Sequence, residues 1–145
     1  MVHRDGGPAG LIGDLTEDRY DEAVALWHRV GLTRPWNDPL TDLRNAVEGP
    51  SSTVLALVTD RLLGTAVVGV DGHRGWMYYL AVQPAAQSTG IGRALVAAAE
   101  EWVAARGIPK LMLMVRSDNA AVLGFYASLG YEVNDVATLG KRIRS

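Results

Sequence analysis

The chain has 145 residues, a formal net charge of -2, 48% hydrophobic and 21% charged residues, and no cysteine. That is the size and balance of one globular domain, which buries roughly two-thirds of its unfolded surface and needs no disulfide or metal to fold. The charge argues against nucleic acid as the main partner, because phosphate binding needs a basic surplus, and the missing cysteines exclude a thiol nucleophile, a thiolate metal site and a disulfide scaffold.

Residues 1–10 hold no signal-peptide core and read as a loose lead-in, and no apolar run has the length of a membrane span. A cytoplasmic protein that stays off membranes is therefore expected. Residues 11–15 read as a short strand, followed by Thr16 as the N-cap of a helix over 17–31 with Glu17 and Asp18 in its first turn. Tyr20, Val24, Trp27 and Val30 recur there at helical spacing. Two prolines bracket an irregular segment at 32–39, and a second helix runs from about 40 to 48 before Gly49-Pro50. The period then changes. Residues 53–59, 62–70 and 76–82 are β-rich runs separated by Asp60-Arg61 and by the turn Asp71 to Gly75, which makes an antiparallel meander.

From 91 to 106 the helical period returns, with Ile91, Leu95, Ala98, Trp102 and Ala105 on one face and Arg93, Glu100 and Arg106 pointing away. Gly107 and Pro109 end it. Residues 110–116 form a continuous apolar run, read as a strand buried on both faces. A short helix over 119–129 and strands at 131–133 and 137–143 complete the order β-α-α-β-β-β-α-β-α-β-β. The expected class is α+β, a single domain with a mixed sheet of about six to seven strands and helices on both faces.

The chemistry concentrates at the junction after residue 82, where a strand passes through Ser88-Thr89-Gly90-Ile91-Gly92-Arg93 into a helix. Gly90 and Gly92 allow close backbone approach, and the N–H groups gather where the helix dipole is positive, a setting suited to a pyrophosphate. A G-x-G at a helix start also arises as plain turn chemistry. The dinucleotide pattern G-x-G-x-x-G fails at Leu95, and no Gly-Lys-Ser/Thr follows to make a P-loop.

The run from Gln87 to Gly92 resembles the Q/R-x-x-G-x-G/A signature of the GNAT N-acetyltransferases. Downstream, Asn119 followed by an Ala-rich helix and Phe125-Tyr126…Gly130-Tyr131 resembles the second signature of that family, in the same order and separation. The stretches Arg34 to Pro39, Asp71 to Gly75 and Leu139 to Arg142 are similar to the YpeA-type subgroup. The resemblance covers roughly residues 50–143 and implies a single N-acetyltransferase domain of the GNAT fold, using acetyl-CoA as co-substrate and no metal.

It also implies roles. Leu80, Ala81 and Val82 match the strand whose free backbone groups bind pantetheine and polarise the thioester carbonyl. Ser88, Thr89, Gly90, Ile91, Gly92 and Arg93 match the pyrophosphate loop. Asn119 matches a pantetheine contact, and Tyr126 the residue that protonates the leaving thiolate. On its own helix, Tyr126 also reads as a core tyrosine beside the stripe Val122, Phe125 and Leu129, and Asn119 as an N-cap. Several family members carry a Glu where this chain has Met114. The base would then be backbone-held water, Asp38 or His73, or none if the amine arrives neutral.

The acceptor amine, of a small molecule, peptide or protein N-terminus, is expected against Trp36, Asn37, Asp38, Tyr78 and His73, with Tyr79 nearby on the same strand. Trp36 beside Asp38 suits a cation, and equally suits a core plug followed by an N-cap. His73 and Arg74 sit at a turn tip, and His3 and His28 give no metal-ligand spacing. A non-catalytic acyl-CoA sensor or regulatory module is the alternative function, and self-association into a homodimer stays open.

Overall fold

The computed structural model describes residues 11–144, so the expected lead-in at 1–10 lies outside the described residues. The chain divides at Met114 and Val115 into two compact units.

The first unit carries a mixed five-stranded sheet in the order β1-β2-β3-β4-β5. The strands are β1 Leu11–Asp14, β2 Ser52–Val58, β3 Leu62–Val70, β4 Gly75–Val82 and β5 Leu111–Met112. All neighbours are antiparallel except β4 and β5. The hairpins close where polar turn residues stand. Asp71 accepts from the His73 and Arg74 amides and from the Trp76 indole, which holds its carboxyl down at about 2.

Three helices cover this sheet: α1 Tyr20–Arg29, α2 Pro39–Glu48 and α3 Ile91–Ala104. Successive strand residues point to opposite faces. The Thr65 hydroxyl meets Trp27 of α1, while the missing side chain of Gly64 faces Leu95 and Ile91 of α3. Helices therefore lie on both faces. One core layer joins Ala23, Leu26 and Trp27 of α1 and Leu43 of α2 to Val54, Ala56 and Val67. On the other face α3 buries Leu95, Ala99, Trp102 and Val103.

Two glycines set how closely α3 sits on the sheet. A Cβ at Gly64 would stand 2.8 Å from a Leu95 methyl and 2.9 Å from the Ala81 carbonyl, and one at Gly75 would stand 2.7 Å from both Val103 methyls. Val103 is stiff about its first torsion and cannot swing aside. Gly75→Ala is expected to destabilise the protein by about 1–3 kcal/mol. Adding Val103→Ala should recover part of the loss, as thermal melts of the single and double variants would report.

Several expectations need correction. Thr16 precedes a short 3-10 turn, Glu17–Arg19, without capping it, because its hydroxyl donates to Asp18. The strand expected at 110–116 shortens to Leu111–Met112, is only partly buried, and leaves Met114 exposed. Hydrophobicity alone does not make a strand; backbone partners do, and the β4–β5 ladder ends after Gly75↔Leu111 and Trp76↔Met112.

The second unit contains α4, Ala120–Ser128. The strands expected at 131–133 and 137–143 do not form among the described residues. Val133, Val136, Leu139 and Ile143 are exposed there. The sheet consequently has five strands rather than six to seven. No helix among the described residues is long and apolar enough to cross a membrane.

Candidate active site

β4 is irregular in its middle. Thr65 pairs with Ala81 while Val67 pairs with Tyr78, so β3 advances two residues where β4 uses three. The extra residue makes a β-bulge, and Tyr79 takes φ +51°, a left-handed conformation costly for an aromatic side chain. Past Trp76 the outer edge of β4 pairs with no strand among the described residues. Leu80, Ala81 and Val82 thus lie just beyond the bulge on an open sheet edge, with Ala81 buried and Leu80 and Val82 partly so.

The chain leaves β4 through Gln83, which is buried and fully tied. Its amide donates to the Leu63 carbonyl, its side-chain nitrogen donates to the Leu62 carbonyl, and its side-chain oxygen accepts from Arg29 at 2.6 Å. The short turn Pro84–Ala86 follows, and the Gln87 side chain donates back to the Val82 carbonyl at 3.2 Å. Ser88 then takes φ +67° and Gly90 φ +90°. Gly90 is the N-cap of α3 but makes no side-chain cap, and the Thr89 hydroxyl donates to Ala86 rather than accepting from the helix. The first N–H groups of α3, on Ile91, Gly92 and Arg93, have no carbonyl one turn behind them. Ile91 is buried against the sheet, and Arg93 is exposed. An uncapped helix start at the end of an open strand edge fits an anionic, phosphate-bearing ligand.

On the other face the bulge meets α2. The Tyr79 hydroxyl donates to Asp42 at 2.9 Å, and burial together with that carboxylate pushes the phenol up to about 12. Asp42 lies one turn after Asp38, which caps α2 by accepting from the Thr41 amide and hydroxyl. Those bonds hold the Asp38 carboxyl below its ordinary range, making it a weaker base. Trp36 is 63% exposed, which removes the core-plug reading, and Asn37 is exposed beside it. Tyr78, also exposed, shares β4 with Tyr79.

His73 lies apart from these groups. It occupies the hairpin tip before Gly75, and the five residues from there to Leu80 span about 17 Å of strand. Among the described residues no three His, Cys, Asp or Glu side chains gather as a metal site.

In the second unit Asn119 is the N-cap of α4, its side chain accepting from the Val122 amide at 3.2 Å. Tyr126 follows two turns later and is the buried residue of this helix, whereas the expected stripe Val122, Phe125 and Leu129 is only partly buried. Its ring packs edge-on against Phe125 and Tyr131 at centroid distances of 5.0 and 5.5 Å. The hydroxyl makes no hydrogen bond among the described residues, although a buried tyrosine in a packing role usually finds one. Desolvation raises it to about 12, so the phenol is protonated at neutral pH.

Tyr79 and Tyr126, the two tyrosines pushed up to about 12, predict an alkaline weakness. Unfolded tyrosine ionises near 10, so between about pH 10 and 12 the unfolded chain releases protons that folded Tyr79 and Tyr126 retain. Their contribution is intact below pH 10 and is lost as pH rises toward 12. Urea midpoints should fall across that window, and less steeply in a Tyr79→Phe, Tyr126→Phe double variant. Equal slopes would show that burial does not hold these protons.

The chain is thus an α+β protein whose sheet is covered by helices on both faces. It belongs to the acetyltransferase (GNAT) family, whose model matches residues 15–131. It is 44% identical over 128 residues to an acetyltransferase of Pectobacterium atrosepticum, covering 88% of this chain and 91% of that protein. Among solved structures it resembles AAC(6')-Iy in complex with the bisubstrate analogue CoA-S-monomethyl-acetylneamine, with a TM-score of 0.77, 16% identity, and 90% and 97% of the two chains covered. It also resembles the ribosomal-protein-S18-alanine N-acetyltransferase of Escherichia coli, with a TM-score of 0.69, 26% identity, and 82% and 75% covered.

Proposed function

We propose that this protein is a cytoplasmic N-acetyltransferase that moves the acetyl group of acetyl-CoA directly onto an amine. The observation that carries the proposal is the uncapped start of α3 at left-handed Gly90, reached from the open edge of β4. Amides from Ser88 to Arg93 would bind the pyrophosphate. Backbone groups of Leu80 to Val82 would hold pantetheine and polarise the thioester carbonyl, where one good donor lowers the barrier by about 3–4 kcal/mol. Asn119 and Tyr126 take the roles that the family's second signature implies.

In the reaction the neutral amine attacks the carbonyl carbon, the C–N bond forms and the C–S bond breaks. The phenol of Tyr126 gives its proton to the departing sulfur, and the proton lost by the amine returns through water. Asp38, its carboxyl held below the ordinary range by Thr41, and His73, at the hairpin tip, are poorly suited to that step, so the amine is taken to arrive uncharged. Trp36, Asn37, Asp38 and Tyr78 border the acceptor. One structural neighbour is bound to an acetylneamine analogue and the other is named for a ribosomal-protein alanine. Small polyamines, aminoglycosides and peptide N-termini therefore belong in one panel.

The test is release of free CoA thiol from acetyl-CoA against that panel. Amine-dependent release supports the enzyme. Tight binding of acetyl-CoA without release across the panel would favour the sensor reading. CoA should compete for the site and NAD should not, because the loop lacks a dinucleotide fingerprint. Competition by NAD at equal concentration would contradict the assignment.

A further inference from the structure

Tyr79 holds a conformation that an aromatic residue rarely adopts, and such a residue persists only where its surroundings over-determine it. Three contacts from three elements do so here. Its ring stacks on buried Trp27 of α1, with centroids 4.1 Å apart and planes 13° from parallel. Its hydroxyl donates to Asp42 of α2. Its carbonyl accepts from the Thr65 hydroxyl of β3 at 3.3 Å, and that same hydroxyl accepts from the Trp27 indole at 2.8 Å. Thr65 is fully buried, and both its donor and an acceptor site are used. It is a lone polar side chain in an otherwise apolar strand, standing at the point where the β3–β4 register shifts.

We infer that Thr65 is a positioning residue for acyl transfer: by gripping the Tyr79 carbonyl and the Trp27 indole together, it fixes the bulge and so the direction of the Leu80 and Ala81 backbone groups. The inference rests on the role proposed above for Leu80 to Val82. A thioester carbonyl must meet its donors in one geometry, and a displacement of about 1 Å far from the chemistry can cost 10²-fold in rate. The hydroxyl also satisfies the indole N–H of fully buried Trp27, so its loss costs stability as well, and the split between kcat and CoA affinity is what separates the two roles.

The test compares Thr65→Val, Thr65→Ser and wild type. Thr65→Val keeps the shape and removes both hydrogen bonds, while Thr65→Ser restores the hydroxyl. The expected result is a fall in kcat of about 10- to 100-fold for Thr65→Val, with CoA affinity unchanged within about threefold and kcat largely restored in Thr65→Ser. Hydrogen exchange in the ligand-free protein should accelerate at the Leu80 and Ala81 amides and stay unchanged in α3. Wild-type kcat in a folded Thr65→Val protein would overturn the inference, as would equal losses of kcat and CoA affinity. If Thr65→Val does not fold, Tyr79→Phe, which cuts the tether to Asp42 but keeps the stack, should show the same kcat-selective loss. An unaltered kcat there counts against the clamp. If wild type itself transfers nothing to any amine, the catalytic reading fails in the parent. The exchange rates at Leu80 and Ala81 then decide separately whether Thr65 holds the strand.

Discussion

Gly90→Val is expected to weaken acetyl-CoA binding by about 100-fold. Two charge-assisted backbone contacts to phosphate, at about 1.5–3 kcal/mol each, are the ones a branched side chain at the turn would obstruct. Losing about 3 kcal/mol corresponds to roughly two powers of ten in Kd. The substitution also carries a folding penalty, because Gly90 sits at φ +90° and a β-branched residue there costs about 1–2 kcal/mol. Gly90→Asn separates the two effects. Asparagine tolerates left-handed backbone, so it should fold nearly as well as wild type while still placing a side chain at the helix start. Calorimetric titration of acetyl-CoA into each variant, with melting curves beside it, reads both quantities. A folded Gly90→Val protein that binds acetyl-CoA normally would remove the pyrophosphate from this loop.

The loop and its helix are legible in the sequence because their signals are local. A strand, two glycines and a helical period define them whatever the rest of the chain does. The hairpins at Asp60-Arg61 and Asp71 to Gly75 are legible for the same reason, since turn residues act on their own neighbours. What escaped the sequence depends on distant partners. Residues 110–116 are apolar throughout, yet only Leu111 and Met112 find a ladder, and no local pattern says how far a ladder runs. Nothing in Gly75–Val82 marks a bulge, because neither glycine nor proline stands at the irregular position. Tyr79 adopts it against its own preference under the grip of Trp27, Thr65 and Asp42. One signal was available: Thr65 is polar in an apolar run, and a buried hydroxyl must have partners. The helix Ala120–Ser128 misled in another way. It is apolar on nearly every side, so its spacing offers little direction, and Tyr126 rather than its neighbours is the residue that is buried.

Tyr126→Phe is expected to lower kcat by about 10²- to 10⁴-fold, the range for losing a positioned general acid. Stability should move the other way or not at all. The hydroxyl lies buried without a hydrogen-bond partner among the described residues, so its removal breaks no protein contact and relieves a desolvated polar group. The ring that packs against Phe125 and Tyr131 is kept. This separates the two roles of the residue more sharply than the rate alone. A tyrosine kept for packing gives a variant with normal kcat. A tyrosine anchored by its hydroxyl gives one that melts early. An acid gives a variant that melts normally and turns over slowly. Because the proton is given only as the thiolate departs, the loss should fall on kcat and kcat/KM alike, with CoA affinity nearly constant. The acid is also available over a wide range, since its pKa near 12 leaves it protonated well above neutrality. Any rise of rate with pH in wild type must then come from deprotonation of the acceptor amine, and it should persist, at lower amplitude, in Tyr126→Phe. Steady-state kinetics of both proteins from pH 6 to 10 on one accepted amine test this. A full-rate, fully folded Tyr126→Phe would leave the departing sulfur to be protonated by solvent and take the acid out of the mechanism.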